Sequence, residues 1–224
     1  MTMIISAHLG DVILIAADKR AMSYNFETNQ LSVSHDNESK IQLWCRGAIA
    51  GTGDIVFIKR IMKQFSEISI ENRKINQLDI IVNELHKRLN EGLTKDFLNN
   101  NTIIFSIFDG EECSLYSIPV KALLEPEYIH ECLQKVEAGT VEVCCLNIPP
   151  DLNYLKDFQN NLRSFHSFDN GLQFINNYID QLKKIFALQA SVDPSVTSAF
   201  DLYLQSCESG HSIAIHVENN LLMN

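Results

Sequence analysis

The second residue of the chain is a threonine, Thr2, and a threonine in that place suggests one particular chemistry. A threonine hydroxyl is a weak nucleophile that needs an adjacent base. A threonine at the very start of a chain supplies its own base, because its α-amine, with a reference pKa of about 7.7–8.0, is partly neutral near pH 7. This requires Met1 to be removed, since until then the Thr2 nitrogen is an amide. Methionine aminopeptidases act before small residues such as Thr, so the expectation is that no propeptide is needed. The other reactive side chains form no rival set. There is no Ser/His/Asp arrangement, and His8, His35, His86, His130 and His166 lack ligand spacing. His211 and His216 differ by an odd number on an expected strand and so face opposite ways. The six cysteines contain no CxxC pair and read as buried thiols. No metal and no cofactor is expected.

The elements around Thr2 have to hold it still. Residues 2–9 and 11–18 read as two strands joined by a tight turn at Gly10-Asp11. DVILIAA (11–17) is apolar almost throughout, which requires a sheet covered on both faces. Residues 21–39 are polar and poorly periodic, a long loop or exposed ribbon. KIQLW (40–44) and GAIAG (47–51) form a second strand pair, and GTGD (51–54) starts a helix with Asp54 at its N-terminus. A second helix carries Leu78, Ile81, Val82, Leu85 and Leu89 on one stripe. Strands return at 102–108, 114–120 and 141–148, with a short helix over 126–137. Helices then start at Pro149-Pro150-Asp151 and, capped by Asp169, over the residues that follow. Two strands, about 196–206 and 212–218, close the chain. Grouped helices between runs of doubly buried strands predict an α+β fold, a four-layer α-β-β-α sandwich, formed by one domain spanning 1–224.

Composition narrows the partners. A net charge of −10 argues against nucleic acid and against an anionic membrane face. No run approaches the roughly 18 apolar residues of a membrane span, and the first residues lack the basic stretch and cleavage site of a signal peptide. The expected location is cytoplasmic.

MTMIISAHLGDVILIAADKRA resembles the start of proteasome β-type subunits and of the bacterial peptidase HslV, which are N-terminal nucleophile (Ntn) hydrolases, and the final hairpin resembles that of HslV or of the related homologue Anbu. In that family a Thr begins the mature chain, an Asp follows sixteen residues later, and an Arg or Gln commonly sits two beyond it. Thr2, Asp18 and Arg20 stand at this spacing. ESKIQLWCRGAIAGTGD (38–54) resembles the next segment, with Lys40 as the family's Lys, and NNTIIFSIFDGEECSLYSIPV (100–120) continues the likeness. The resemblance implies that Thr2 is the nucleophile and that Lys40 lowers the pKa of its amine by like-charge proximity. Asp18 would hold Lys40, and backbone N–H groups near Gly51 would form an oxyanion hole. It also implies that Ala21, Met22 and Ile49 line the substrate cleft. Asp193 and Ser195 in SVDPSVTSAFDLYLQS (191–206) fall where the family often has an Asp and a Ser. The chain departs from the pattern in four places, one of them the GTGD turn (51–54), which is one residue shorter than its counterpart. The loop between Arg20 and Lys40 is longer, Met22 replaces a Thr or Ser, and the second half has no Gly-Ser-Gly segment.

Each residue alone has a plain structural reading: Met-Thr is a common start, Asp18 a strand-end residue, Lys40 an edge charge. The ordered set gives the first functional reading, a threonine-type hydrolase acting on peptides or proteins and assembling with copies of itself into a ring or related stack. An ATPase partner follows only by analogy with HslV. Two other readings stay open: a catalytically inactive structural or binding subunit of the same fold, and a small-molecule amidase.

Overall fold

The computed structural model describes residues 2–25, 27–28, 30–69, 76–125, 133–145, 147 and 152–219. β1 (Ile4–His8) and β2 (Val12–Asp18) form the expected hairpin, in the register Ile4↔Ala17 to His8↔Ile13. Gly10, at φ 97°, makes the turn, and Leu9 N donates to Val12 O at 2.8 Å. β3 (Ala21–Asn25) and β4 (Gln30–His35) form a separate two-stranded ribbon, with β4 exposed along its whole length. β5 (Ile41–Trp44), β6 (Gly47–Thr52), β7 (Thr102–Phe108), β8 (Cys113–Pro119) and β9 (Gln134–Lys135) form one five-stranded antiparallel sheet in chain order. The other five-stranded sheet has the order β10-β1-β2-β11-β12, where β10 is Thr140–Cys144, β11 is Phe200–Ser206 and β12 is Ser212–Val217. The helices are α1 (Ile55–Ser66), α2 (Gln77–Asn90), α3 (Lys95–Leu98), α4 (Val120–Leu123), α5 (Asn153–Asn160) and α6 (Gly171–Val192).

Three apolar clusters explain why β2 has no polar face. Leu14 and Ala16 pack with Phe158 of α5 and Tyr178, Leu182 and Phe186 of α6. Ile13, Ile15 and Ala17 point the other way and meet Ala48, Ala50, Ile104 and Leu115 of the second sheet. The far face of that second sheet, through Ile49, Ile103 and Phe105, packs on Phe57, Ile61 and Phe65 of α1 and Ile81 and Leu85 of α2. Successive residues of a strand point to opposite faces, so a strand covered on both sides must be apolar at every position.

Some boundaries differ from the sequence reading. Asp54 caps α1, its side chain accepting from Phe57 N, as expected. The cap of α6 is Asn170 rather than Asp169: the Asn170 side chain accepts from Gln173 N. No helix occupies 133–137. Gln134 and Lys135 pair with Ser117 and Tyr116 on the open edge of β8, and Val136 inserts between the sheets with its N–H on Leu115 O. Residues 126–132 of that expected helix, and the Pro149-Pro150-Asp151 start, lie outside the described residues; α5 runs from Asn153.

Candidate active site

Asp18 is the last residue of β2 and is fully buried. A buried carboxylate must be met by donors. Its Oδ1 accepts from Lys40 Nζ and from Met3 N, each at 2.8 Å. Its Oδ2 accepts from Arg20 N at 2.9 Å and from Thr197 N at 3.4 Å. The strand pairing reinforces this, because Asp18 N donates to Met3 O at 3.1 Å. Met3 is thus bonded to Asp18 twice, and Thr2, itself buried, is the residue immediately before it. The ammonium of Lys40 and the peptide nitrogen that follows Thr2 converge on one oxygen atom.

Lys40 enters from the residue before β5 and is 8 % exposed. Burial pushes its pKa below the ordinary lysine value, and Asp18 offsets part of that effect. The loop leading to Lys40 is also anchored: Glu38 N donates to Lys19 O at 3.0 Å, and Lys59 of α1 reaches Glu38 at 2.8 Å.

Arg20 does not join Asp18 through its guanidinium. Its Nε and Nη2 form a two-point pair with Asp36 at 2.6 and 2.7 Å, and Nη1 donates to Pro194 O at 2.8 Å. It therefore clamps the end of the β3–β4 ribbon to the turn after α6. That turn carries Asp193 and Ser195, both buried. Asp193 Oδ1 accepts from Ser195 N at 2.8 Å and from Ser195 Oγ at 2.6 Å. Its Oδ2 accepts from Asn147 Nδ2 at 2.9 Å. Burial pushes the Asp193 carboxyl up, but the Ser195 and Asn147 bonds outweigh it and hold the pKa below the usual carboxylate range.

The remaining residues divide. Ala21 opens β3 and is buried, and Met22 beside it is half-buried, one residue beyond the Arg20 clamp. Gly51 lies in β6, where a Cβ would sit 2.6 Å from Ile58 Cδ1, so its bareness lets α1 approach the sheet. Gly53, at φ 109°, makes the turn that follows, packed on Asn101. Asp54 N is occupied by Asn101 Oδ1 at 2.5 Å. Ile49 is 1 % exposed and packs under α1 with Phe57 and Ile58.

Sequence reasoning missed Asn147, Thr197 and Asp36. Thr197 and Asn147 act across 179 and 46 positions, and no local pattern marks them. Asp36 sits inside the long polar loop, where one acid among many polar residues carries no signal.

The architecture is a proteasome-like fold, shared with solved structures of Anbu. A mutant form of Anbu from Hyphomicrobium sp. strain MC1 matches with a TM-score of 0.63 at 15 % identity, covering 98 % of this chain and 89 % of that one. Anbu from the same strain in another crystal form matches at 0.62 and 13 %, and Anbu (ancestral β-subunit) from Yersinia bercovieri at 0.59 and 13 %. Each of these two covers 97 % of this chain, which in turn spans 88 % of theirs. At such identities the likeness establishes the fold. No family model matches the sequence, and no curated protein matches it.

Proposed function

We propose that this chain is a threonine-type Ntn hydrolase that cleaves a peptide or amide bond once Met1 has been removed. The observation that carries the reading is the shared oxygen of Asp18, which holds Lys40 Nζ and Met3 N at 2.8 Å each inside a buried site. A buried lysine–carboxylate pair is costly to assemble and weak as a stabiliser, so its placement one residue from Thr2 supports a chemical role.

In this reading Thr2 Oγ attacks the substrate carbonyl carbon while its proton passes to the Thr2 α-amine. The nearby Lys40 ammonium favours the neutral, proton-accepting form of that amine, and it also favours negative charge developing on Oγ. Asp18 keeps Lys40 charged and in place. Backbone N–H groups near Gly51 would receive the oxyanion. Collapse of the tetrahedral intermediate breaks the C–N bond. The leaving amine takes the proton held by the α-amine, leaving an ester on Thr2 Oγ that water then hydrolyses. Ala21 and Met22 would border the extended substrate. The reading carries with it one four-layer α-β-β-α domain over the whole chain, a cytoplasmic location, and assembly with copies of itself into a ring or stack.

The test has two parts. Mass spectrometry of the protein from its native host should show Met1 absent. A peptide epoxyketone, which reacts with both the hydroxyl and the free amine of an N-terminal Thr, should label the protein on Thr2. Thr2→Ala should abolish both labelling and amide hydrolysis while leaving the far-ultraviolet circular dichroism unchanged. Quantitative retention of Met1 would remove the base and with it the mechanism, leaving a non-catalytic subunit of this fold. Labelling combined with cleavage of acyl-amide but not peptide reporters would move the reading to a small-molecule amidase.

A further inference from the structure

The end of the molecule opposite Asp18 holds two cysteines that the candidate active site does not use. Cys113 opens β8 in one five-stranded sheet, and Cys207 directly follows β11 in the other. Strand pairing sets them far from Asp18. Phe200, at the start of β11, pairs with Asp18, whereas Ser206, at its end, pairs with Val12. Cys207 N donates to Asp11 O at 2.8 Å, at that same far end of β2.

The two side chains meet between the sheets. Cys113 is 3 % exposed, and Cys207, half-buried, packs against the same apolar group. The Cys113 thiol has two acceptors within reach, Ser206 O at 3.4 Å and the sulfur of Cys207. The backbone on either side is held by separate contacts. Gln205 Nε2 donates to Arg46 O at 2.9 Å, from one sheet to the other. Gly210, at φ 69°, lies so near Phe108 that a Cβ there would collide with the ring, and Phe108 is the strand partner of Cys113. The thiols are thus brought together by two turns packed on each other.

The pair is unequal. The hydrogen bond from Cys113 pulls the Cys207 pKa below the ordinary thiol value, against burial and the charges of Asp11, Glu112 and Glu208. The same bond, with burial, pushes the Cys113 thiol up. Cys207 therefore has both the thiolate character and the access of an attacking thiol, and Cys113 is its buried partner. Burial instead pushes Cys144 up to about 12, and it pushes Cys145 up as well.

We propose that Cys113 and Cys207 are a redox pair that closes into a disulfide between the two sheets when a low-molecular-weight disulfide is the oxidant. The Cys207 thiolate attacks one sulfur of the oxidant, breaking its S–S bond and releasing one thiolate. Cys113 then gives up its proton and attacks the Cys207 sulfur, which expels the second thiolate. The protein loses two electrons and two thiol protons, and the oxidant becomes two thiols. The new bond ties β8 to the β11–β12 turn and closes a long chain loop, which restricts the unfolded chain. Excess thiol reopens it by the reverse exchange. The inference is independent of the chemistry proposed for Thr2.

Oxidised glutathione added to the reduced, full-length protein tests it. Peptide mapping should join the Cys113 and Cys207 peptides. The melting temperature should rise by about 5–10 °C and return when dithiothreitol is added. Cys113→Ser should stop at a glutathione adduct on Cys207 and gain no thermal stability. Cys207→Ser should leave Cys113 unmodified, and an adduct on Cys113 in that variant would overturn the assigned order of attack. A wild-type map in which Cys113 and Cys207 stay reduced, or pair with other cysteines, overturns the proposal. That map decides even where a serine variant fails to fold.

Discussion

Asp11 precedes β2 and Asp18 ends it, seven positions further on, or about 23 Å along the strand. At the first end the carboxylate works on a loop. Asp11 Oδ1 and Oδ2 accept from the backbone N–H groups of Phe165 and His166, and a cavity of about 290 Å³ opens beside it, lined by Val12, Phe165, Phe174, Leu204 and Ile213. Its ionic neighbours are exposed: His166 reaches Glu208 at 3.3 Å from a largely solvated position. At the second end the carboxylate is fully buried and meets a buried lysine. The first end thus pairs its carboxylate with backbone N–H groups and exposed ionic partners, while at the second end two buried charges meet next to Thr2.

The largest effect should separate these two aspartates. Asp18→Ala removes the carboxylate facing Lys40 and also orphans the N–H groups of Met3 and Arg20. Breaking a buried ion pair from one side costs about 3–5 kcal/mol. Asp11→Ala removes a cap on a short 3-10 turn at Phe165–Ser167 and should cost about 0.5–2 kcal/mol. Urea unfolding of the two variants reads the difference directly; equal losses would mean that the burial contrast carries no energy.

A milder change sharpens the same contrast. Replacing both partners, Asp18→Asn with Lys40→Met, removes the charges while keeping shape. Such replacements are often neutral or stabilising by about 1–4 kcal/mol. The double variant should be more stable than either single variant, and it should be inactive in hydrolysis. A double-mutant cycle on the urea midpoints checks the first statement and epoxyketone labelling the second. Retained labelling would show that the pair serves the fold and not the nucleophile.

Legibility in the sequence followed the range of each interaction. β1 and β2 could be read because burial on both faces leaves an unbroken apolar run, and α1 because Asp54 stands three residues before the N–H it caps. Thr2, Asp18 and Lys40 were readable as an ordered set, and the structure brings Asp18 and Lys40 into contact. Asp169 and Asn170 are equally good caps by type, so sequence could not choose between them. The two-residue strand β9 is too short to show a period. Asn147 was invisible for a deeper reason: its value lies in where the loop after β10 meets the turn after α6, and that meeting is set by the packing of α6 on the sheet. Ile49, which the resemblance places in the cleft, packs on the helix side of β6, opposite Ala48 and Ala50.

Between the two extremes lies a third ionic group of intermediate burial. Lys19 Nζ meets Asp201 Oδ1 at 3.1 Å, Asp201 accepts from His216 Nδ1 at 2.9 Å, and His216 Nε2 faces Glu218 at 3.0 Å, beside a cavity of about 450 Å³. The bond to Asp201, then that to Glu218, raises the His216 pKa above its ordinary value. A raised folded-state pKa gives stability that is complete below the unfolded value of about 6.5 and is lost as pH rises through the folded value. Lys40 has the opposite sign: its pKa is lowered by burial, so stability rises with pH from its folded value toward that of an unfolded lysine. His216→Gln should therefore lower the urea midpoint at pH 5.5 and leave it unchanged at pH 8.5. The difference should stay well under about 1 kcal/mol, because half-exposed pairs are screened by water and salt. Added salt should shrink that difference further. A loss that is equal at both pH values would show that His216 contributes by packing rather than by charge.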